Sequence, residues 1–452
     1  MVSPFRYFVL LPLVAVYAGE ECPTGVHDTP TPTPAPFVDC SDQSRDFWAY
    51  DFSVMPPGSQ LVPATCRLEG GHAYVYVADD QWNVTVTAED VETFLTTFER
   101  EAPAGALEPT AGLYGNDVMV FGEPPDALDN DPKIYLLLMD FEDYVSSDGD
   151  VFQFDGYFGS MDQYPDEEIQ RQTLGRYHSN EVEIVYLNSR IRPVTSPPTL
   201  SVLAHEFQHM IAWNYDESEE AWMSESLAEV AMIINGLYTD EPWVRDYASW
   251  PGYPLVYTGS PNYGACLLWG MYLYEQIGQE FMIHVESEQR DGIAGLDRAL
   301  STFGTDETFQ GLFADWVVAN LVDQPDTGRY GYQFADLPDF AREDLLTNAG
   351  DTLYSTVYPF GVDYIDVFPR RDTATLMVST DEPAVDLVWL IRWESGQAVE
   401  MTRLSDGDSS DPILVDLVAE SGDTAWTVAV SYVDETVGGD TSQTMGYTVS
   451  LQ

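Results

Sequence analysis

The pentapeptide HEFQH at residues 205–209 carries two imidazoles and a carboxylate at a spacing that can do chemistry. His209 follows His205 by four residues, so on a helix both rings leave one face a turn apart. Two imidazoles so placed can share one zinc ion. Glu206 then lies beside a zinc-bound water and can take its proton. This requires a helix, and the flanking residues predict one. Ser196, with Pro197 at the first helical position, opens it. Leu200, Leu203, Ala204, Phe207, Met210 and Ile211 supply its core face.

Zinc in a hydrolytic site takes three protein ligands and keeps a fourth position for water. The segment WMSESLAEVA (222–231) predicts a second helix, from Trp222 to Asn235, stopped by Gly236. It offers Glu225, with residues 210–224 between it and His209. Glu225 is assigned as the third ligand. Glu229, one turn on, is assigned as acceptor for the free N–H of a liganding histidine, a bond that fixes the ring and raises its basicity. Asp216, Glu217, Glu219 and Glu220 are rival ligands that read as solvated loop acids. Ser224 and Ser226 sit in no G-x-S-x-G turn and are not nucleophile candidates.

HEFQH followed by WMSESLAEVA resembles the gluzincin metallopeptidases, in which HExxH precedes a helix of the form W-L-N-E-G-x-A. The chain is most similar to the hyicolysin-type secreted peptidases, over about residues 110–325 and most strongly in the two zinc-binding segments. Ser224 and Ser226 stand where that family has Asn and Gly, and the gap before Glu225 is shorter than in thermolysin or the aminopeptidases. The resemblance implies an α+β protein. Its catalytic unit would be zincin-like, a mixed-sheet subdomain plus a helical subdomain, with one catalytic Zn2+ and protein or peptide substrates.

Further roles follow from the same resemblance. YGACLLWGMYLYEQIG (263–278) has the Tyr-to-Gly spacing of the aminopeptidase "Y-E-K-G…G" helix. Tyr263 is therefore the candidate for holding the oxyanion, with an ordinary helix-start aromatic as the equal alternative. His284 is a rival donor, by analogy with thermolysin, that reads as solvent-facing. A zincin binds peptide along an edge strand. By chain order this is GYFGSMDQY (156–164), with Gly156, Tyr157, Phe158, Gly159 and Ser160 forming the edge. No GAMEN-like element for a substrate N-terminus is visible, which favours an endopeptidase. In the implied reaction Glu206 takes a proton from water, the hydroxide attacks the scissile carbonyl, and Glu206 returns the proton to the leaving amine. Two competing readings are a cell-surface binding or adhesion protein with a vestigial zinc site, and a zinc amidase. Glu206 is the residue a decayed enzyme loses first, and it is present.

The rest of the chain sets the context. Eighteen basic against 76 acidic residues give a net charge of −58, and Lys133 is the only lysine. This balance leaves no basic surface for nucleic acid. It suits a protein kept hydrated in salt, where its self-repulsion is screened. Arg6 precedes an apolar run, Tyr7 to Tyr17, and Val16-Tyr17-Ala18 resembles a cleavage site, so residues 1–19 read as a signal peptide and the protein as secreted or cell-surface. No apolar stretch is long enough to span a bilayer.

Residues 20–45 read as a Thr/Pro-rich linker. Export permits disulfides; Cys40–Cys66 is the preferred pairing and Cys22–Cys40 the alternative. Cys22 is also a weighed lipid-anchor site, against which Glu20 and Glu21 intervene before it. Asn83-Val84-Thr85 is a glycosylation acceptor triplet. Residues 46–195 read as strands with one helix, starting at Thr87/Asp90 in a capping box. Residues 196–345 read as the helical catalytic part. Residues 346–452 alternate as short strands between turns and read as a C-terminal β-sandwich, with Trp389, Trp393 and Trp426 as core. Asp129-Asn130-Asp131 offers oxygen ligands for Ca2+ but lacks a full loop set. SDGDSSD (405–411) reads as a solvated turn.

Overall fold

Three apolar runs far apart in sequence become the middle of one sheet. This is seen in a computed structural model that describes residues 36–452, except 127, 258, 260, 382–385, 406–410, 420–421 and 435–440. The proposed signal peptide, most of the Thr/Pro segment with Cys22, and most of the 405–411 turn lie outside the described residues. The chain divides into two compact units. One holds the described residues up to Ser218 together with Ala231–Thr239; the other holds Glu219–Val230 and Asp240–Gln452. The architecture is mixed, with helices and several sheets.

The first unit is built on a six-stranded sheet. Its strands are β1 (Ser44–Asp51), β2 (Gly58–Glu69), β3 (Ala73–Ala78), β4 (Ile134–Met139), β7 (Gly156–Phe158) and β8 (Ile184–Asn188), in the order β1-β2-β3-β4-β8-β7. A two-stranded hairpin, β5 (Tyr144–Val145) and β6 (Val151–Phe152), lies between β4 and β7 in the chain. β3, β4 and β8 run parallel, and β7 pairs antiparallel with β8. The parallel strands are apolar on both faces because both faces are covered. One face carries a core of Phe47, Tyr76, Leu137, Tyr157, Ile184 and Tyr186. The helices α1 (Ala88–Glu99), α2 (Gly112–Phe121) and α4 (Pro197–Tyr215) pack outside it, α1 on β2 and β3, α2 on α1 and α4, and α4 on β7 and β8.

The sheet curls until its two end strands are linked by side chains. Trp48 N–H donates to Asn180 Oδ1 at 2.8 Å, Asn180 Nδ2 donates to Trp48 O at 2.8 Å, and Tyr50 N–H donates to the Tyr157 hydroxyl at 3.0 Å. The outer edge of β1 is thus capped by side chains where another strand could have paired.

Two differences from the sequence reading stand out here. Residues 36–45 are not all spacer: Val38 pairs with Glu69 and Cys40 is bonded to Cys66. Among the described residues, 46–195 also hold three α-helices rather than one helix. α2 was masked by its two glycines, and α3 (Asp166–Gln172) is a short polar turn with one buried apolar residue, Ile169.

The second unit joins a helical layer to a β-sandwich-like region. Its helices are α6 (Glu241–Ser249), α7 (Tyr263–Ile277), α8 (Gln279–Glu286), α9 (Gly292–Phe303) and α10 (Phe309–Val322), with the first ten residues of α5 (Ala221–Ile234). Trp269 of α7 is fully buried against Trp222, Phe309 and Trp316. A Cβ at Gly270 would lie 2.2 Å from Ser226 O, so α5 and α7 cross at a residue that must lack a side chain.

The sandwich-like region has two sheets. One is β10 (Thr352–Val357), β17 (Met445–Leu451), β12 (Thr373–Thr380) and β15 (Ile413–Val418). The other is β14 (Gln397–Arg403), β13 (Asp386–Glu394), β16 (Thr424–Tyr432), β11 (Val362–Val367) and β9 (Asp344–Leu346). Residues from both sheets share one core, Trp426 among them. The five-stranded sheet turns its other face to the helices: the Tyr364 hydroxyl donates to Val317 O at 2.6 Å and the Trp389 ring meets Tyr330.

Candidate metal centre

The helix that carries HEFQH begins where Ser196 and Pro197 predict, with Ser196 as the residue before its first turn. Prolines there remove N–H groups that have no partner inside the helix. Its Phe207 is wedged among aromatic rings, with centroids 5.4 Å from Phe98 and 5.3 Å from Tyr114. That contact fixes the rotation of α4 about its axis. The polar residues on either side of Phe207, His205, Glu206, Gln208 and His209, are all buried as well. Burying four polar side chains on one helix is costly unless each is satisfied.

The two histidines face each other through the same atom. Nε2 of His205 and Nε2 of His209 lie 3.1 Å apart, with ring planes at 84°. Glu225 joins them. One ligand atom from each of His205, His209 and Glu225 lies within 4.8 Å of the others, and all three residues are buried.

The helix of Glu225 has a well-defined end. Gly236 takes φ +70°, and Leu237 N–H closes back on Met232 O at 3.0 Å, a left-handed cap that suits glycine. Just before it, Asn235 is buried. Its Nδ2 donates to Asp117 Oδ1 at 2.6 Å, and its Oδ1 accepts from Asn116 at 3.0 Å. Leu107 N–H donates to Ile234 O at 2.6 Å. These bonds set the end of α5 against α2.

Glu206 is bonded to the sheet. Its Oε2 accepts the Phe158 N–H at 2.8 Å, so the carboxylate is tied to β7. Glu229 is fully buried. Burial first, then the neighbouring charges of Asp240 and Glu225, push its carboxyl well above the usual range, and a hydrogen bond with Asp240 acts the same way. Glu229 therefore shares a carboxyl–carboxyl contact with Asp240 that sequence reasoning did not foresee; Asp240 lies in the loop after α5 and has no local pattern to mark it. Burial likewise pushes the Cys266 thiol up, reinforced by Glu225 and Glu229. A buried cluster of acids gathers around Glu225, and a cation is the species that would relieve it.

Tyr263 is the first residue of α7, half-buried, with its ring 5.7 Å from Trp243. His284 is exposed on α8. Of the edge segment, Gly156, Tyr157 and Phe158 form β7. Gly159 and Ser160 do not belong to it: the chain turns there into a short 3-10 helix, Ser160–Gln163, closed by Asp162 N–H on Gly159 O at 2.9 Å. The reason is Asp162, whose buried carboxylate accepts from Asn180 and Tyr186 and pulls the backbone inward.

The rival acids have other partners. Glu217 accepts from the Tyr164 hydroxyl, Glu220 from Trp222 and Glu219 from Gly292 N–H. Of the Asp129-Asn130-Asp131 triplet, Asp129 alone joins an acidic group, with Asp126 and Glu183. Asp131 accepts from the Tyr74 hydroxyl.

The His/His/Glu set fits zinc on its own chemistry. Two nitrogens each about 2.0–2.1 Å from a tetrahedral zinc are roughly 3.3–3.4 Å apart, close to the observed 3.1 Å. Imidazole donors disfavour calcium and magnesium, which take oxygen ligands. Three protein donors leave one position for solvent.

No family model and no curated protein matches the chain. Among solved structures, the pre-peptidase C-terminal domain of collagenase from Bacillus anthracis is 10% identical, covering 25% of this chain and 100% of that one at a TM-score of 0.19. The lysozyme inhibitor PliG of Salmonella Typhimurium is 10% identical, covering 24% and 98% at 0.17. A GH115 4-O-methyl-α-glucuronidase is 9% identical, covering 73% and 53% at 0.15. At these scores the likenesses carry no argument about function.

Proposed function

We propose that this chain is a secreted zinc-dependent peptidase of the gluzincin kind, built on a zincin-like unit, that hydrolyses peptide bonds within protein substrates. The observation that carries the reading is the convergence of His205, His209 and Glu225 next to a carboxylate, Glu206, on the same helix. His205, His209 and Glu225 would hold the ion. When bound, zinc supplies Lewis acidity at the carbonyl and a lowered pKa for water. Glu206 accepts a proton from the attacking water as its oxygen bonds to the carbonyl carbon. It then delivers that proton to the leaving nitrogen as the C–N bond breaks. Tyr263 is the proposed donor to the developing oxyanion. The Cys40–Cys66 disulfide supports an oxidising, extracytoplasmic location. Among the described residues no helix is long and apolar enough to cross a membrane.

The test is casein cleavage by the purified protein, with and without a chelator, and by Glu206→Gln. Cleavage that the chelator abolishes, that zinc restores and that Glu206→Gln lowers by about a hundredfold or more is expected. Zinc binding with proteolysis unchanged in Glu206→Gln would overturn the mechanism. A protein that binds no zinc would favour a binding or adhesion role.

A further inference from the structure

The hydrogen-bond register of β7 decides which of its backbone groups face outward. Asn188 N–H donates to Asp155 O at 2.8 Å, and Tyr157 stands opposite Tyr186 two residues along. Bonded and non-bonded pairs alternate in an antiparallel ladder. Tyr157 therefore directs its N–H and C=O to β8, while those of Gly156 and Phe158 point away from it. One of these outward groups, the Phe158 N–H, donates to Glu206 Oε2 at 2.8 Å.

A second contact sets the distance. A Cβ at residue 156 would lie 2.6 Å from Val202 Cγ1 and 2.9 Å from Tyr186 O. Val202 is one turn before Glu206 on the same face of α4. The bare backbone at Gly156 therefore lets α4 approach β7 closely enough for the Glu206 carboxylate to reach the next outward amide.

We propose that the Phe158 backbone amide is the positioning group of Glu206. It holds Oε2 and leaves Oε1 as the oxygen that meets the attacking water. Its catalytic meaning rests on the peptidase reading above; its geometry does not. The contact also defines what the edge offers an extended peptide. With the Phe158 N–H engaged, a peptide lying along β7 pairs through the N–H and C=O of Gly156 and the C=O of Phe158. Gly156 then fixes the substrate register.

Amide exchange tests the contact without activity. In the full secreted chain labelled with 15N-phenylalanine, the Phe158 amide is expected to exchange about tenfold or more slowly than in Glu206→Ala. Phe158→Ala, labelled with 15N-alanine instead, should show the same protection at residue 158, because the amide remains. Equal exchange rates in wild type and Glu206→Ala would overturn the proposal. Phe158→Pro removes the amide and is expected to lower kcat about a hundredfold, with KM and zinc content within about twofold. A rise in KM with kcat intact would also overturn it, assigning the amide to substrate binding. Should Phe158→Pro not fold, the exchange comparison decides alone. Protection that depends on Glu206 in a protein that cleaves no peptide sinks the peptidase reading and leaves the contact standing.

Discussion

Asn235 donates to Asp117 through a 2.6 Å bond that fastens the end of α5 to α2. Burial pushes the Asp117 carboxyl well above the usual range, and the Asn235 bond offsets this only in part. Removing the carboxyl takes away one of the two bonds the buried Asn235 amide donates and leaves the one to Ala231 O at 2.9 Å. Asp117→Ala is expected to destabilise the first unit by about 1–3 kcal/mol and, through α5, to weaken zinc binding about tenfold or more. Urea denaturation and metal titration measure the two effects.

Zinc affinity should depend on Glu225 directly. Wild type is expected to purify with near-stoichiometric zinc and Glu225→Ala with little, as read by metal analysis. A ligand that binds only the folded state stabilises it by about 2.7 kcal/mol at a hundredfold over its Kd. A chelator should therefore lower the Tm of wild type and leave that of Glu225→Ala unmoved. A Glu225→Ala protein with full zinc content would remove Glu225 from the ligand set.

Asp162 gives a pH dependence with a definite sign. Burial raises its carboxyl from 3.8 to about 7, against the lowering effect of bonds from Asn180 and Tyr186. The folded state therefore holds the proton more tightly than the unfolded chain. The stability this contributes is complete below about pH 4 and is lost as pH rises through about 7. Asp162→Asn mimics the neutral form and should flatten that decline. Urea midpoints at pH 5 and pH 8 for the two proteins provide the check, with a difference of differences on the order of 1 kcal/mol or more expected.

The Cys40–Cys66 bond closes a loop with a sequence separation of 26. Reduction, or Cys40→Ser with Cys66→Ser, is expected to cost about 3–4 kcal/mol, most of it through the greater freedom of the unfolded chain. Thermal denaturation with and without reductant tests this, and an unchanged Tm would contradict it.

The charge of −58 predicts that salt stabilises the protein. The screening length falls from about 10 Å at 0.1 M to about 3 Å at 1 M. Tm should rise steadily over that range, in sodium chloride and potassium chloride alike.

What the sequence made legible was local. The capping box at Thr87 and Asp90, Ser196 with Pro197 before HEFQH and the glycine stop after Asn235 each act within a few residues, and each marks a real boundary. The shared face of His205 and His209 was also within reach, because helix periodicity fixes which side chains of one helix lie together. What escaped depends on distant partners. β2 contains Pro63 and a register shift between Cys66 and Leu68, so its pattern is broken although it pairs on both sides. The Glu206–Phe158 bond joins residues 48 positions apart. The Asn180 cap on β1 reaches across 132. No local periodicity encodes such contacts; they exist only once the sheet has curled.

The crosslink at Cys40 also has a mechanical meaning. β1 begins four residues after Cys40, and its first residue, Ser44, pairs with Thr65, next to Cys66. Tension arriving from the N-terminal side reaches β2 through a covalent bridge before it can load the β1–β2 ladder. A tethered or tugged chain would therefore keep its first strand zipped, and a reducing agent would convert the same pull into peeling.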